Sequence, residues 1–252
     1  MVDTHCHIFS NYYDDISEII NKAYSSGVKM LIINGYNMKS NMEVVFLVKK
    51  YDIVYGAIGL QPSELDDYND LNIKYIEDHI NDDKIIAVGE IGLDYHYDCD
   101  RSKQKDMFRR QLSIAQKFNK PVIVHSRDCI QETYDILKEY SLKGIIHCYS
   151  GSVEMAHKFN NIGFLLGIGG ICTFKNAKKL IDVIKNISLE YIVLETDSPY
   201  LSPEPFRGCC NEPSYISYIS SKVAAIKNIS VNDVNNVTTY NVMRLFDKNV
   251  NL

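Results

Sequence analysis

The strongest constraint on this chain is an alternation. Eight short runs rich in Val and Ile recur from end to end: Val2–His7, Lys29–Asn34, Ile53–Gly59, Ile85–Ile91, Pro121–Ser126, Gly144–Tyr149, Gly163–Gly169 and Tyr191–Thr196. Their hydrophobicity is nearly continuous. A strand wetted on one face would alternate, so these runs predict strands buried on both faces of a parallel sheet. Amphipathic stretches with helical spacing lie between them, at Asp14–Ser26, Ser40–Lys50, Ser102–Phe118, Ile130–Tyr140, Val153–Asn160 and Asn176–Asn186. Two more helices, Tyr215–Lys227 and Val231–Phe246, are expected after the last strand. Eight βα units within 252 residues predict an α/β fold, a (β/α)8 TIM barrel filling one domain over residues 1–252. A doubly wound sheet is the competing arrangement, and periodicity alone does not separate the two.

The placement of unusual residues favours the barrel. His5 and His7 end the first expected strand, Glu90 the fourth, His125 the fifth, His147 the sixth and Asp197 the eighth. In a barrel these ends share one rim, where active sites are built. A doubly wound sheet would spread them along a line. Six metal-ligating side chains on one rim predict a metal centre. Strand alternation points His5 and His7 the same way and sends Cys6 toward the helix layer. Glu90 sits in Val88-Gly89-Glu90-Ile91-Gly92-Leu93-Asp94. A carboxylate in so apolar a run is costly unless paired or metal-bound, and its two oxygens can bridge two cations. Asp94 fits either a partner of that site or a loop cap. Asp197, at the rim, can bind metal and take a proton from water. Glu195, on the same side by alternation, lies deeper. Arg127 either orients a phosphate or pairs with Asp128 or Glu90. Arg207 follows the last strand, where barrels often bind phosphate, and its planar fork suits phosphate oxygens.

Composition narrows the partners. With 27 basic and 32 acidic residues the net charge is −5, which excludes a strongly cationic nucleic-acid coat. A locally positive pocket remains allowed. The seven cysteines form no CxxC pair, so a thiolate zinc site is not expected and reduced thiols of a cytoplasmic protein are. No run of 18 apolar residues is present, and no membrane association is expected.

Taken together and in order, Asp3-Thr4-His5-Cys6-His7, Gly89-Glu90-Ile91-Gly92-Leu93-Asp94, His125-Ser126-Arg127-Asp128, His147-Cys148-Tyr149-Ser150-Gly151, Glu195-Thr196-Asp197-Ser198-Pro199-Tyr200-Leu201 and Arg207-Gly208 resemble the TatD family of metal-dependent deoxyribonucleases, within the amidohydrolase-type barrels. The resemblance covers nearly the whole chain. It implies two divalent ions, with His5, His7 and Asp197 on one, His125 and His147 on the other, and Glu90 on both. It implies hydrolysis of DNA phosphodiester bonds, as a 3′–5′ exonuclease on single strands or ends, by water activated between two cations. Asp197 and Glu90 are then the catalytic pair, and Arg127, Arg207 and Gln61 the phosphate contacts. The family often carries a His at the position of Gln61, before Pro62, and Gln cannot become a cation near neutral pH. The ion is expected to be Mg, Mn or Zn. Two alternatives stand beside this one: hydrolysis of an ester, lactone or amide (an aminoacyl-tRNA ester included) at the same site, or a metal-bound barrel that only binds.

Overall fold

A computed structural model describes residues 1–247; the tail of the expected 1–252 domain, 248–252, lies outside them. Eight strands form one sheet in sequential order: β1 Val2–Cys6, β2 Met30–Asn34, β3 Val54–Ile58, β4 Ile85–Asp94, β5 Val122–Arg127, β6 Gly144–Ile146, β7 Phe164–Ile168 and β8 Ile192–Leu194. Helices alternate with them: α1 Ile16–Ser25, α2 Met38–Lys50, α3 Asp70–His79, α4 Arg101–Lys117, α5 Ile130–Leu137, α6 Val153–Asn161 and α7 Lys178–Asn186. α8 Ile216–Lys227 and α9 Val231–Phe246 follow β8. Parallel strands in sequential order with a helix after each are the (β/α)8 class that the alternation predicts. All ten residues of β4 are buried, as expected of a strand covered on both faces. No helix among the described residues is long and apolar enough to cross a membrane.

The chain divides into two compact units. One takes Met1–Ile33, Cys148–His157 and the chain from Leu165 onward. In it β1 pairs with β2 and β7 with β8, and a parallel bridge joins Cys6 to Ser198 beyond β8. The other takes Asn34–His147 and Lys158–Phe164, in which β3, β4, β5 and β6 pair in turn.

Three strand ends differ from expectation by two residues or more. β4 runs on to Asp94, so Glu90 lies inside the strand and Asp94 ends it. The register between β4 and β5 shifts between Val88 and Ile91, and simple alternation fails there. β6 stops at Ile146 and β8 at Leu194, which leaves His147, Glu195 and Asp197 on the turns that follow. The cause is local. Backbone groups past these strands pair with residues of β7 and β1: Tyr149 N–H donates to Gly167 O (3.0 Å), and Asp197 N–H to His5 O (2.8 Å).

Gly92 sets the approach of β4 to β5. Its φ is +144°, and a Cβ there would lie 2.0 Å from the carbonyl oxygen of His125. Only glycine permits both the conformation and the contact. Gly92→Ala is expected to lower unfolding free energy by about 3 kcal/mol or more, read from the urea midpoint.

Candidate metal centre

In the first unit, β1 and the turn after β8 are laced together. His7 N–H donates to Ser198 O at 2.7 Å, and Asp197 N–H to His5 O at 2.8 Å. The buried Asp3 carboxylate accepts from Thr196 N–H (2.9 Å), Thr196 Oγ1 (2.6 Å) and His5 N–H (3.3 Å). Burial pushes this carboxyl up to about 7, against the pull of those hydrogen bonds. Asp197 has φ +55°, in the left-handed region that Asp tolerates better than most residues.

The consequence is a triad. His5 Nε2 and His7 Nε2 stand 3.1 Å apart, and each is 3.7 Å from Asp197 Oδ1. The two imidazoles converge as alternation predicts. Cys6 points elsewhere, its thiol donating to Ile32 O at 3.4 Å. His5 is fully buried, while the Asp197 side chain keeps 13% of its surface open.

The second unit builds another triad. Glu90 Oε1 is 3.0 Å from His125 Nδ1 and 2.9 Å from His147 Nε2, and those two nitrogens are 3.0 Å apart. These three residues form a group able to hold a metal ion. The other nitrogen of His125, Nε2, faces Asp94 Oδ2 at 3.1 Å. Asp94 Oδ1 accepts from His96 N–H at 2.9 Å. The backbone of Asp94 is held in turn by Gln104 of α4, which accepts from its N–H at 3.0 Å and donates to its carbonyl at 2.9 Å. Asp94 therefore does both things the sequence allowed: it holds a histidine and caps a loop. Burial alone would lower the His125 pKa, but hydrogen bonds to Asp94 and Glu90 outweigh it and raise it to about 9. Burial would raise the Asp94 pKa; the His125 and His96 hydrogen bonds reverse this and leave it below the ordinary value.

Both triads fit a divalent cation by donor chemistry. Each offers two imidazole nitrogens and a carboxylate oxygen. Ligand bonds of 2.0–2.2 Å place neighbouring donors about 3–3.5 Å apart, close to the separations found here. Such nitrogen-rich sets suit first-row transition ions.

The phosphate candidates have partners of their own. The Arg127 guanidinium, exposed at the end of β5, lies over the Tyr97 ring at 5.5 Å, while Asp128 meets His96 Nδ1 at 3.0 Å. Exposed Arg207 stacks on Phe174 at 3.7 Å. Gln61 Nε2 donates to Ser63 Oγ at 2.7 Å. Glu195 accepts from Cys148 N–H at 2.5 Å and so holds the turn that follows His147. All seven cysteines are free thiols. Sequence reasoning did not find the work of Asp3, Gly92 and Gln104. Asp3 and Gly92 lay inside quoted motifs, yet nothing in one sequence marked what they touch. Gln104 lay in Ser102–Phe118, which read only as an amphipathic stretch.

Fold and donor sets define a metal-dependent hydrolase of the barrel class. Residues 2–247 match the family of TatD-related DNases, and the chain belongs to that family. A Bacillus subtilis relative, the metal-dependent hydrolase YabD, is 37% identical over 98% of both chains. A metal-dependent hydrolase from Buchnera aphidicola is 36% identical over 98% of this chain and 99% of its own. The crystal structure of YjjV, a TatD homologue from Escherichia coli, superposes with a TM-score of 0.95 at 29% identity, over 99% of this chain and 98% of that one.

Asp94→Asn tests the support of the second triad. It keeps the shape but removes the charge behind His125, and is expected to weaken divalent-metal binding about 10- to 100-fold. Calorimetric titration with zinc or manganese, beside an unchanged circular dichroism spectrum, is the measurement.

Proposed function

We propose that this chain is a divalent-metal-dependent deoxyribonuclease that trims single-stranded DNA from its 3′ end. The observation that carries the reading is the pair of triads, each of two histidines and one acid, in a chain of the TatD-related DNase family. His5, His7 and Asp197 would hold one cation and His125 and His147 the second, with Glu90 able to serve both. Mg, Mn or Zn are the ions in question. Bound dications polarise phosphoryl oxygens and lower the pKa of water at neutral pH.

The chain's own residues do the rest. Asp197, the more exposed acid, takes the proton as water attacks phosphorus in line. Glu90, buried at 2% exposure, keeps its carboxylate turned to His125 and His147. Arg127 and Arg207 bring positive charge to a substrate that a net charge of −5 would otherwise repel. Gln61 offers an uncharged hydrogen bond where the family often has a histidine. Because the net charge is −5, strand ends and short single strands suit the chain better than long duplex. The free thiols support a cytoplasmic setting.

An end-labelled single-stranded oligonucleotide, incubated with Mg, Mn or Zn, tests the proposal. Stepwise shortening from the 3′ end that chelator abolishes is the expected result. Asp197→Asn should lower kcat about 10²- to 10⁴-fold, and the His125→Ala/Asp197→Ala double variant should be inactive. Protein that holds two metals but cleaves no oligonucleotide would overturn the DNase reading.

A further inference from the structure

Two tyrosines of the first unit stand beside its triad. Tyr200 comes three residues after Asp197, and Tyr12 lies on the turn after β1, five residues past His7. The Tyr200 ring meets the His7 ring at 6.2 Å between centroids and 67° between planes. The Tyr12 ring meets Tyr200 at 5.8 Å and 73°, and the phenol oxygens are 2.8 Å apart, Tyr200 donating to Tyr12. Yet Tyr200 leaves 49% of its surface open to solvent and Tyr12 is only half-buried. Core packing does not account for this pair.

The backbone beneath Tyr200 is fixed. Its N–H donates to Asp197 O at 2.8 Å, and its carbonyl accepts from Asn211 Nδ2 at 2.6 Å. The same Asn211 amide donates to Thr196 O at 2.8 Å, and Tyr13 Oη donates to Asn211 O at 2.7 Å. A large open ring on a pinned turn, one ring away from His7, is pre-organised to receive a flat ligand. The Tyr12 hydrogen bond sets the tilt of that ring.

We propose that Tyr200, oriented by Tyr12, is a stacking platform for a nucleobase flanking the scissile phosphodiester. The inference rests on the nuclease reading and names how that site holds its substrate. A base lies one sugar away from its phosphate, so a phosphate at the His7–Asp197 end brings a neighbouring base onto the Tyr200 ring. Every base has a π face, and the platform presents no donor–acceptor pattern to tell bases apart. It therefore supports sequence-tolerant trimming. It also favours single strands and frayed ends, since a paired base is already stacked. An acidic chain gains affinity here without added positive charge.

The test uses the metal-loaded full chain and three oligonucleotides: one intact, and one abasic at each nucleotide flanking the cut. Tyr200→Ala is expected to raise KM on the intact strand about tenfold or more, with the loss falling on KM rather than kcat. Tyr200→Phe, which keeps the ring, should recover most of it. An abasic site at one flanking position should cost the native enzyme a similar factor and cost Tyr200→Ala little, because the partner is already gone. Metal content is measured for each variant, so that damage to His7 is seen separately. If the native enzyme trims the intact strand but both abasic strands equally well, the platform is overturned and the nuclease stands. If Tyr200→Ala loses the same factor on intact and abasic strands, the ring is structural and the platform is again overturned. If the native enzyme trims no strand under any metal, both readings fall together.

Discussion

The seam between β1 and the turn after β8 is the constraint on which the first triad depends. Asp3 is fully buried, and three hydrogen bonds converge on its carboxylate from Thr196 and His5. Around it the backbone pairs His7 with Ser198 and Asp197 with His5. Residues nearly two hundred positions apart are thus held at hydrogen-bonding distance. The loop-closure entropy of so long a separation is large, but it grows only slowly with length. Once met by the packing of the strands, it leaves His5, His7 and Asp197 with little freedom. A ligand set is useful only when its geometry exists before the ion arrives.

The second triad uses a different device. Three of its groups come from β4, β5 and the turn after β6, and the closeness of β4 to β5 is set by the absence of a side chain at Gly92. With the two backbones drawn together, Asp94 reaches His125 Nε2 and leaves Nδ1 for Glu90 and His147. Gln104 then fixes Asp94 from α4. The chain of support runs from helix to carboxylate to imidazole to triad. Each link is buried or nearly so, which raises the cost of any unmade hydrogen bond and so sharpens the geometry.

On the proposed nuclease reading, these two constructions would let an acidic protein take a polyanionic substrate. Cations held at the two clusters would supply positive charge there. Lys105, Arg109 and Arg110 of α4 are neutralised by Glu132, Glu139 and Asp70. They belong to a solvated ion-paired face. Arg127 and Arg207 instead rest on aromatic rings.

The order of elements was legible in the sequence because it depends on local pattern. Continuous Val and Ile runs can be buried only between two layers, and the eight runs found their strands within a few residues. The histidines and acids were legible because such side chains are rare at the ends of apolar runs. His5 and His7 were oriented correctly, since alternation needs only neighbours. What the tertiary structure alone decided was everything carried by backbone approach and side-chain reach. β4 runs on to Asp94, which puts Glu90 inside the strand, and its register against β5 shifts between Val88 and Ile91. The early stop of β8 placed Asp197 on a turn, its amide taken by β1. Asp3, Gly92, Gln104 and the Tyr12–Tyr200 pair acquire meaning only from partners far away in sequence. Local periodicity records which face of an element is dry. It carries no record of which distant atom completes a hydrogen bond, and that is settled only when the elements pack.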